Sequence, residues 1–106
     1  MTEGRPHYFT KRDANQADIA EDLRRLGFRV VDTSPLGGKV LDLFVCGYKP
    51  SIQDWAWLHV EVKTDEGSLT DGEKAFFEEC PQCPAIVAQV TEDVLEWYTG
   101  EGEWKR

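Results

Sequence analysis

The sequence predicts an α/β domain: a four-stranded mixed sheet flanked by helices, with elements in the chain order α-β-β-β-α-β-α. Three observations lead there. Two short apolar runs, Val40–Cys46 and Ala56–Lys63, are bounded by turn signals and separated by a polar, proline-containing connection, as neighbouring buried strands would be. A third apolar run, Ala85–Val90, follows a helical stretch, so it needs a crossover, and a parallel pairing somewhere in the sheet is expected. Helix-period stripes with start and stop signals lie before, between and after these runs.

The chain opens on residues 1–11, which have no period and read as a flexible arm in which His7 and Tyr8 are incidental. Asp13–Leu26 is the first helix, burying Ile19, Ala20, Leu23 and Leu26, with Asp13 as N-cap, Gln16 closing a capping box and Gly27 as terminator. Phe28–Thr33 forms the first strand, and Ser34–Gly38 a loop whose paired glycines suit a tight approach. After the strands Val40–Cys46 and Ala56–Lys63 comes a polar loop to Leu69. Thr70 then caps a second helix, with Glu73 three residues on and Ala75, Phe76, Phe77 and Cys80 facing inward. Pro81 ends that helix. Thr91 caps the last helix, which buries Val94, Leu95 and Tyr98, and residues 99–106 are a polar tail with Trp104 loosely docked.

At 106 residues, with 41% apolar and 30% charged residues, the chain makes a single globular domain, spanning 12–98. No apolar run reaches membrane-spanning length, and no signal-peptide core opens the sequence. Three cysteines without an export signal suggest a reducing cytoplasm. The net charge of −8 argues against non-specific nucleic-acid binding, but it is unevenly spread. Residues 1–40 carry seven Lys/Arg and six Asp/Glu, whereas residues 41–106 carry five and fourteen. A polyanion would therefore approach the first half, through Lys11, Arg12, Arg24, Arg25, Arg29 and Lys39.

The chemistry concentrates in the two strands that precede the second helix. Glu61 and Lys63 share one strand face, roughly 6–7 Å apart, while Val60 and Val62 anchor the other. If the strands pair, Asp42 converges on Glu61 with Lys63 beside them. Two buried carboxylates repel each other and are costly to desolvate unless a cation or proton lies between them. The blander alternative is a strand-end ion pair between Glu61 and Lys63, with Asp42 capping a turn. His59 lies on the same face and is read as a satisfied core or interface histidine. Cys80-Pro-Gln-Cys83 lacks the partners of a zinc site and sits at a helix C-terminus, so it reads as a turn with two semi-buried thiols. No phosphate-binding glycine loop, nucleophile elbow or Ser-His-Asp set is present.

The runs RDANQADIAEDLRRLGFRVVDTSPLGGKVLDLFV, WLHVEVKTDEGSLTDGEKAFFEE and AIVAQVTEDVLEWY resemble, in that order, the PD-(D/E)xK nuclease superfamily. The likeness is to the small phage and bacterial virus-type replication-repair nucleases, relatives of Holliday-junction resolvases, and covers residues 12–98. The resemblance implies a restriction-endonuclease-like core and hydrolysis of DNA phosphodiesters with Mg²⁺ or Mn²⁺, in bacterial or phage-infected cytoplasm. It implies that Asp42, Glu61 and Val62 lie at the metal and that Lys63 orients or activates the attacking water. Gln16 stands where a first-helix glutamate often completes the shell, and Leu41 where a proline usually precedes the aspartate. Arg12, Gly38, Lys39 and Lys74, the last near a position that is often glutamine, would face branched or duplex DNA. A homodimer would suit cutting of two strands. A catalytically weakened binding module is the alternative function, and an acidic structural accessory protein a third.

Overall fold

Hydrophobic alternation organises the sheet. The computed structural model describes residues 11–63 and 68–100, leaving aside the side chains of 11–14, 38 and 39. Its strands are β1 (Arg29–Asp32), β2 (Leu43–Lys49), β3 (Asp54–Val62) and β4 (Ala85–Ala88), in the spatial order β1-β2-β3-β4. β1–β2 and β2–β3 are antiparallel, and β3–β4 is parallel. Between the two parallel strands runs α2 (Asp71–Glu79), the crossover that such a pair requires. The expected α/β fold with a mixed four-stranded sheet is therefore observed.

Alternate strand residues Val30, Leu43, Val45, Leu58, Val60 and Val62 point to one face. There they pack against Ile19, Ala20 and Leu23 of α1 (Lys11–Arg25) and Val94 and Tyr98 of α3 (Thr91–Thr99). The Tyr98 hydroxyl donates to the Ala56 carbonyl at 2.7 Å, which satisfies its buried polar end on the sheet it packs against. α2 lies over the opposite face, its Phe76 ring 5.1 Å from His59, and none of its residues is fully buried.

Several boundaries move. α1 is already helical at Lys11, so Asp13 is inside it and does not cap it; residues 1–10 of the expected arm lie outside the described residues. Leu26 falls beyond the helix and is 58% exposed rather than part of the buried stripe. The expected loop at Ser34–Gly38 is a short 3₁₀ segment, Ser34–Lys39, kinked at Gly37, whose φ of 74° suits glycine. β2 begins at Leu43 rather than Val40, which leaves Asp42 just ahead of the strand instead of in its middle, and it runs on through Gly47 to Lys49. Gly47 is there for space: a Cβ would meet the Phe28 ring at 2.3 Å.

β4 stops at Ala88, and Asp93 rather than Thr91 caps α3, its carboxylate accepting the Gln89 and Val90 amides at 2.8 and 3.3 Å. Thr91 instead donates to Asp22 at 2.8 Å, tying α3 to α1. Cys80 and Cys83, expected as separate thiols, are joined as a disulfide across the turn after α2. The tail from 101, including Trp104, lies outside the described residues. Among the described residues, no helix is long and apolar enough to cross a membrane.

Candidate active site

Asp42 is fixed from its backbone outward. Its carbonyl accepts the Thr33 amide at 2.9 Å, and the Thr33 hydroxyl donates to the neighbouring Leu41 carbonyl. This clamp ends the turn out of the 3₁₀ segment and aims the carboxylate across the sheet. There Asp42 Oδ2 accepts the backbone amide of Val62 at 2.9 Å, in a buried hydrogen bond. Val62 thus contributes an apolar side chain to the core and an amide to Asp42.

Glu61, one residue earlier on β3, is 1% exposed. Strand alternation puts it on the face away from Val60 and Val62. Its carboxyl hydrogen-bonds with both Asp42 and Glu73. Lys63 closes the group, with Nζ 3.5 Å from Glu61 Oε2 and 2.9 Å from Glu73 Oε1. Three carboxyl groups and one ammonium therefore share a small buried volume where β3 ends and α2 begins.

Burial raises the Glu61 pKa first; the hydrogen bond to Glu73 and the charge of Asp42 raise it further, up to about 8. Glu73 goes the other way. Burial opposes its ionisation, but hydrogen bonds from Glu61, the Thr70 amide and Lys63 outweigh that and hold it well below the usual carboxylate range. In the bare protein a proton on Glu61 thus relieves the crowding of negative charge.

A hard divalent cation would relieve the same crowding, and the carboxylate oxygens of Asp42 and Glu61 are the donor type that Mg²⁺ and Mn²⁺ prefer. The residues present fit such an ion on that ground. Among the described residues no group of three or more His, Cys, Asp or Glu is placed to hold a metal ion together. Mg²⁺ commonly needs only one or two protein carboxylates.

The other sequence-predicted residues lie on α1, on α2 and in the 3₁₀ segment. Gln16 is buried, and its amide donates to Asp32 Oδ1 at 3.1 Å; with Asp13 inside the helix, it closes no capping box there. Asp32 Oδ1 also accepts the Ser34 amide and hydroxyl at 3.0 and 2.7 Å, so Gln16 is anchored to the end of β1. Lys74 is exposed on α2, directly after Glu73. Arg12 sits in the first turn of α1, and Gly38 and Lys39 end the 3₁₀ segment that α2 packs beside; these three side chains lie outside the described residues. His59 is stacked on Phe44 at 4.5 Å, and burial lowers its pKa. It is half-buried in an aromatic cluster with Phe44 and Phe76, where the sequence reads a satisfied core or interface histidine.

Sequence reasoning missed Glu73 as a partner of Lys63. Glu73 does close the expected capping box, with Thr70 N–H to Oε1 at 2.8 Å and its own amide to Thr70 Oγ1 at 3.2 Å. One carboxylate serves both the helix start and the lysine, and the capping motif accounted for it so fully that nothing flagged the second role. Asp32 carried no signal beyond lying at a strand end.

No protein-family model, curated protein or solved structure matches the chain.

Proposed function

We propose that this protein is a divalent-metal-dependent DNA endonuclease with a restriction-endonuclease-like core, a PD-(D/E)xK nuclease acting on branched DNA. One observation carries the reading: Asp42 from just ahead of β2, and Glu61 and Lys63 from the end of β3 and just beyond it, come to a single buried point where the charges of the bare protein do not balance. A turn cap and an isolated surface ion pair would not produce that crowding. The resemblance of residues 12–98 to the family, which includes these same residues, agrees with that reading.

Asp42 and Glu61 would hold Mg²⁺ or Mn²⁺, which supplies a water-derived nucleophile at neutral pH and offsets charge on the phosphate. The Val62 amide keeps the Asp42 carboxylate oriented. Lys63, held within reach by Glu73, presents an ammonium that can donate to the scissile phosphate or to the attacking water. Buried beside carboxylates, that ammonium is fixed in place before substrate arrives, so little reorganisation accompanies the reaction. Basic side chains of the first half, Arg12 and Lys39 among them, would receive the DNA backbone, with Gly38 and Lys74 beside them, and a homodimer would place two such sites for two strands.

A weakened binding module is the second reading, favoured by Gln16: its amide is committed to Asp32 and adds no negative charge to the site. Incubation of the protein with branched and linear DNA separates the two. Cleavage in Mg²⁺ or Mn²⁺, abolished by EDTA and by Asp42→Asn, is expected of the enzyme. Binding without cleavage in either metal is expected of the module.

A further inference from the structure

The face of the sheet that bears Glu61 is only partly covered. α2 shields its His59 end, but further along β3 the alternation brings up Trp57 and Trp55, which are 44% and 63% exposed. Exposed tryptophans at successive same-face positions, with no helix over them, are not explained by core packing. The rings are ordered among themselves. Phe44 of β2 is held between Trp57 and His59 at 4.3 and 4.5 Å, with both interplanar angles at 22°. Beyond them Tyr48 meets Trp55 edge-on at 5.7 Å, a contact that occupies at most one face of each ring.

Two features of this surface point to an occupant. The first is continuity with the candidate site: Trp57 and Glu61 lie on the same face of one strand, roughly 13 Å apart at the usual rise per residue. The second is charge. In a chain of net charge −8, the only charged strand residues on this face are Arg29, exposed opposite Cys46, and Glu61 itself, buried at the site. A strip of aromatic rings whose own strand positions carry no exposed carboxylate, with the Asp54 carboxylate at its far end engaged by the Trp55 amide at 2.8 Å, and with an arginine on the same face, suits a polyanion with flat apolar bases. It does not suit a basic protein partner.

We propose that Trp57 and Trp55 form a stacking platform for the unpaired bases of single-stranded DNA running out from the scissile phosphate. Bases inside an intact duplex have their faces covered by their neighbours, whereas a flap or splayed arm offers them to an aromatic ring. The platform rests on the nuclease reading for its role and narrows it. The substrate class becomes DNA with an unpaired strand about two or three nucleotides from the cut, rather than a fully paired junction.

The test has a binding arm in EDTA, where cleavage is silent. A labelled oligothymidylate of about 15 nucleotides is titrated against wild type, Trp57→Ala, Trp55→Ala and Trp57→Phe, with a duplex of equal length beside it. Wild type should bind the single strand more tightly than the duplex and lose tryptophan fluorescence as it does so. Each alanine variant should bind roughly ten- to a hundredfold more weakly, and Trp57→Phe should recover most of the loss, because it keeps a ring. The phenylalanine variant and the second site keep the test decisive if one alanine variant folds poorly.

Equal affinity in wild type and both alanine variants overturns the platform, as does a wild type that prefers duplex. So does a wild type that binds no oligonucleotide but is a dimer that Trp57→Ala dissociates, since the face is then an interface between copies. The second arm adds Mn²⁺ and compares a flapped duplex with the same duplex lacking the flap. Binding that depends on the tryptophans, with no cleavage of either substrate, upholds the platform and removes the nuclease. Cleavage with no dependence of binding on either tryptophan does the reverse.

Discussion

Glu61 is the residue on which the charge balance of the site turns. Its folded pKa lies above the value of 4.5 it has in an unfolded chain, reaching about 8, so the folded state holds a proton that the unfolded state gives up. Stability from this group is complete below the unfolded value and drains away as pH rises toward 8. Glu73, lowered, has the opposite sign: its contribution is present above 4.5 and fades only in acid. Burial lowers the His59 pKa, so His59 adds stability as pH rises toward its unfolded value of 6.5 and opposes Glu61 there; between 6.5 and 8 Glu61 sets the slope. The metal-free protein should melt at a progressively lower temperature across that upper window, and Glu61→Gln should flatten the decline. An unaltered slope in that variant, measured by thermal melting in EDTA, would remove Glu61 from its place at the centre. Gln16 makes a second prediction at this scale. Glutamate there cannot donate to Asp32 and sets two carboxylates against each other at a buried position. Gln16→Glu should cost about 1–3 kcal/mol, seen as a lower melting temperature. A stability equal to wild type would mean that the amide does not hold Asp32.

Among the elements, what was legible in the sequence follows local chemistry. The second helix could be read from Thr70 and Glu73 alone, because a capping box is written in four consecutive residues. β2 was displaced by three residues because its limits are set from outside. Thr33, just past the end of β1, takes the Leu41 and Asp42 carbonyls ahead of the strand, and Phe28 accounts for the glycine that looks like its end. Neither influence is local in sequence. Gly47→Ala tests the second of them. A Cβ 2.3 Å from the Phe28 ring, itself 4.9 Å from Tyr98, has nowhere to go without repacking. The substitution should cost about 1–3 kcal/mol, and Phe28→Leu in the same chain should return part of it. Additive losses in the double variant, followed by chemical denaturation, would show that Gly47 is needed for some other reason.

For the molecule as a whole, alternation along the strands and the crossover through α2 were enough to anticipate the mixed sheet, and the i, i+2 spacing was enough to join Glu61 to Lys63. The path of the Asp42 carboxylate to the Val62 amide and the double use of Glu73 depend on how β2, β3 and α2 meet in space, which no single stretch encodes. The account rests on the claim that this meeting point is built for a divalent cation. The measurement that addresses it without choosing the right DNA is thermal melting of wild type and Asp42→Asn across a Mn²⁺ titration. Asparagine keeps an oxygen for the Val62 amide while removing a charge that presses on Glu61. Without metal, the variant should melt higher than wild type. With metal, wild type should rise steadily, as a ligand specific to the folded state requires, and the variant should stay where it began. A wild type indifferent to Mn²⁺, or a variant that rises in parallel with it, would contradict the metal site.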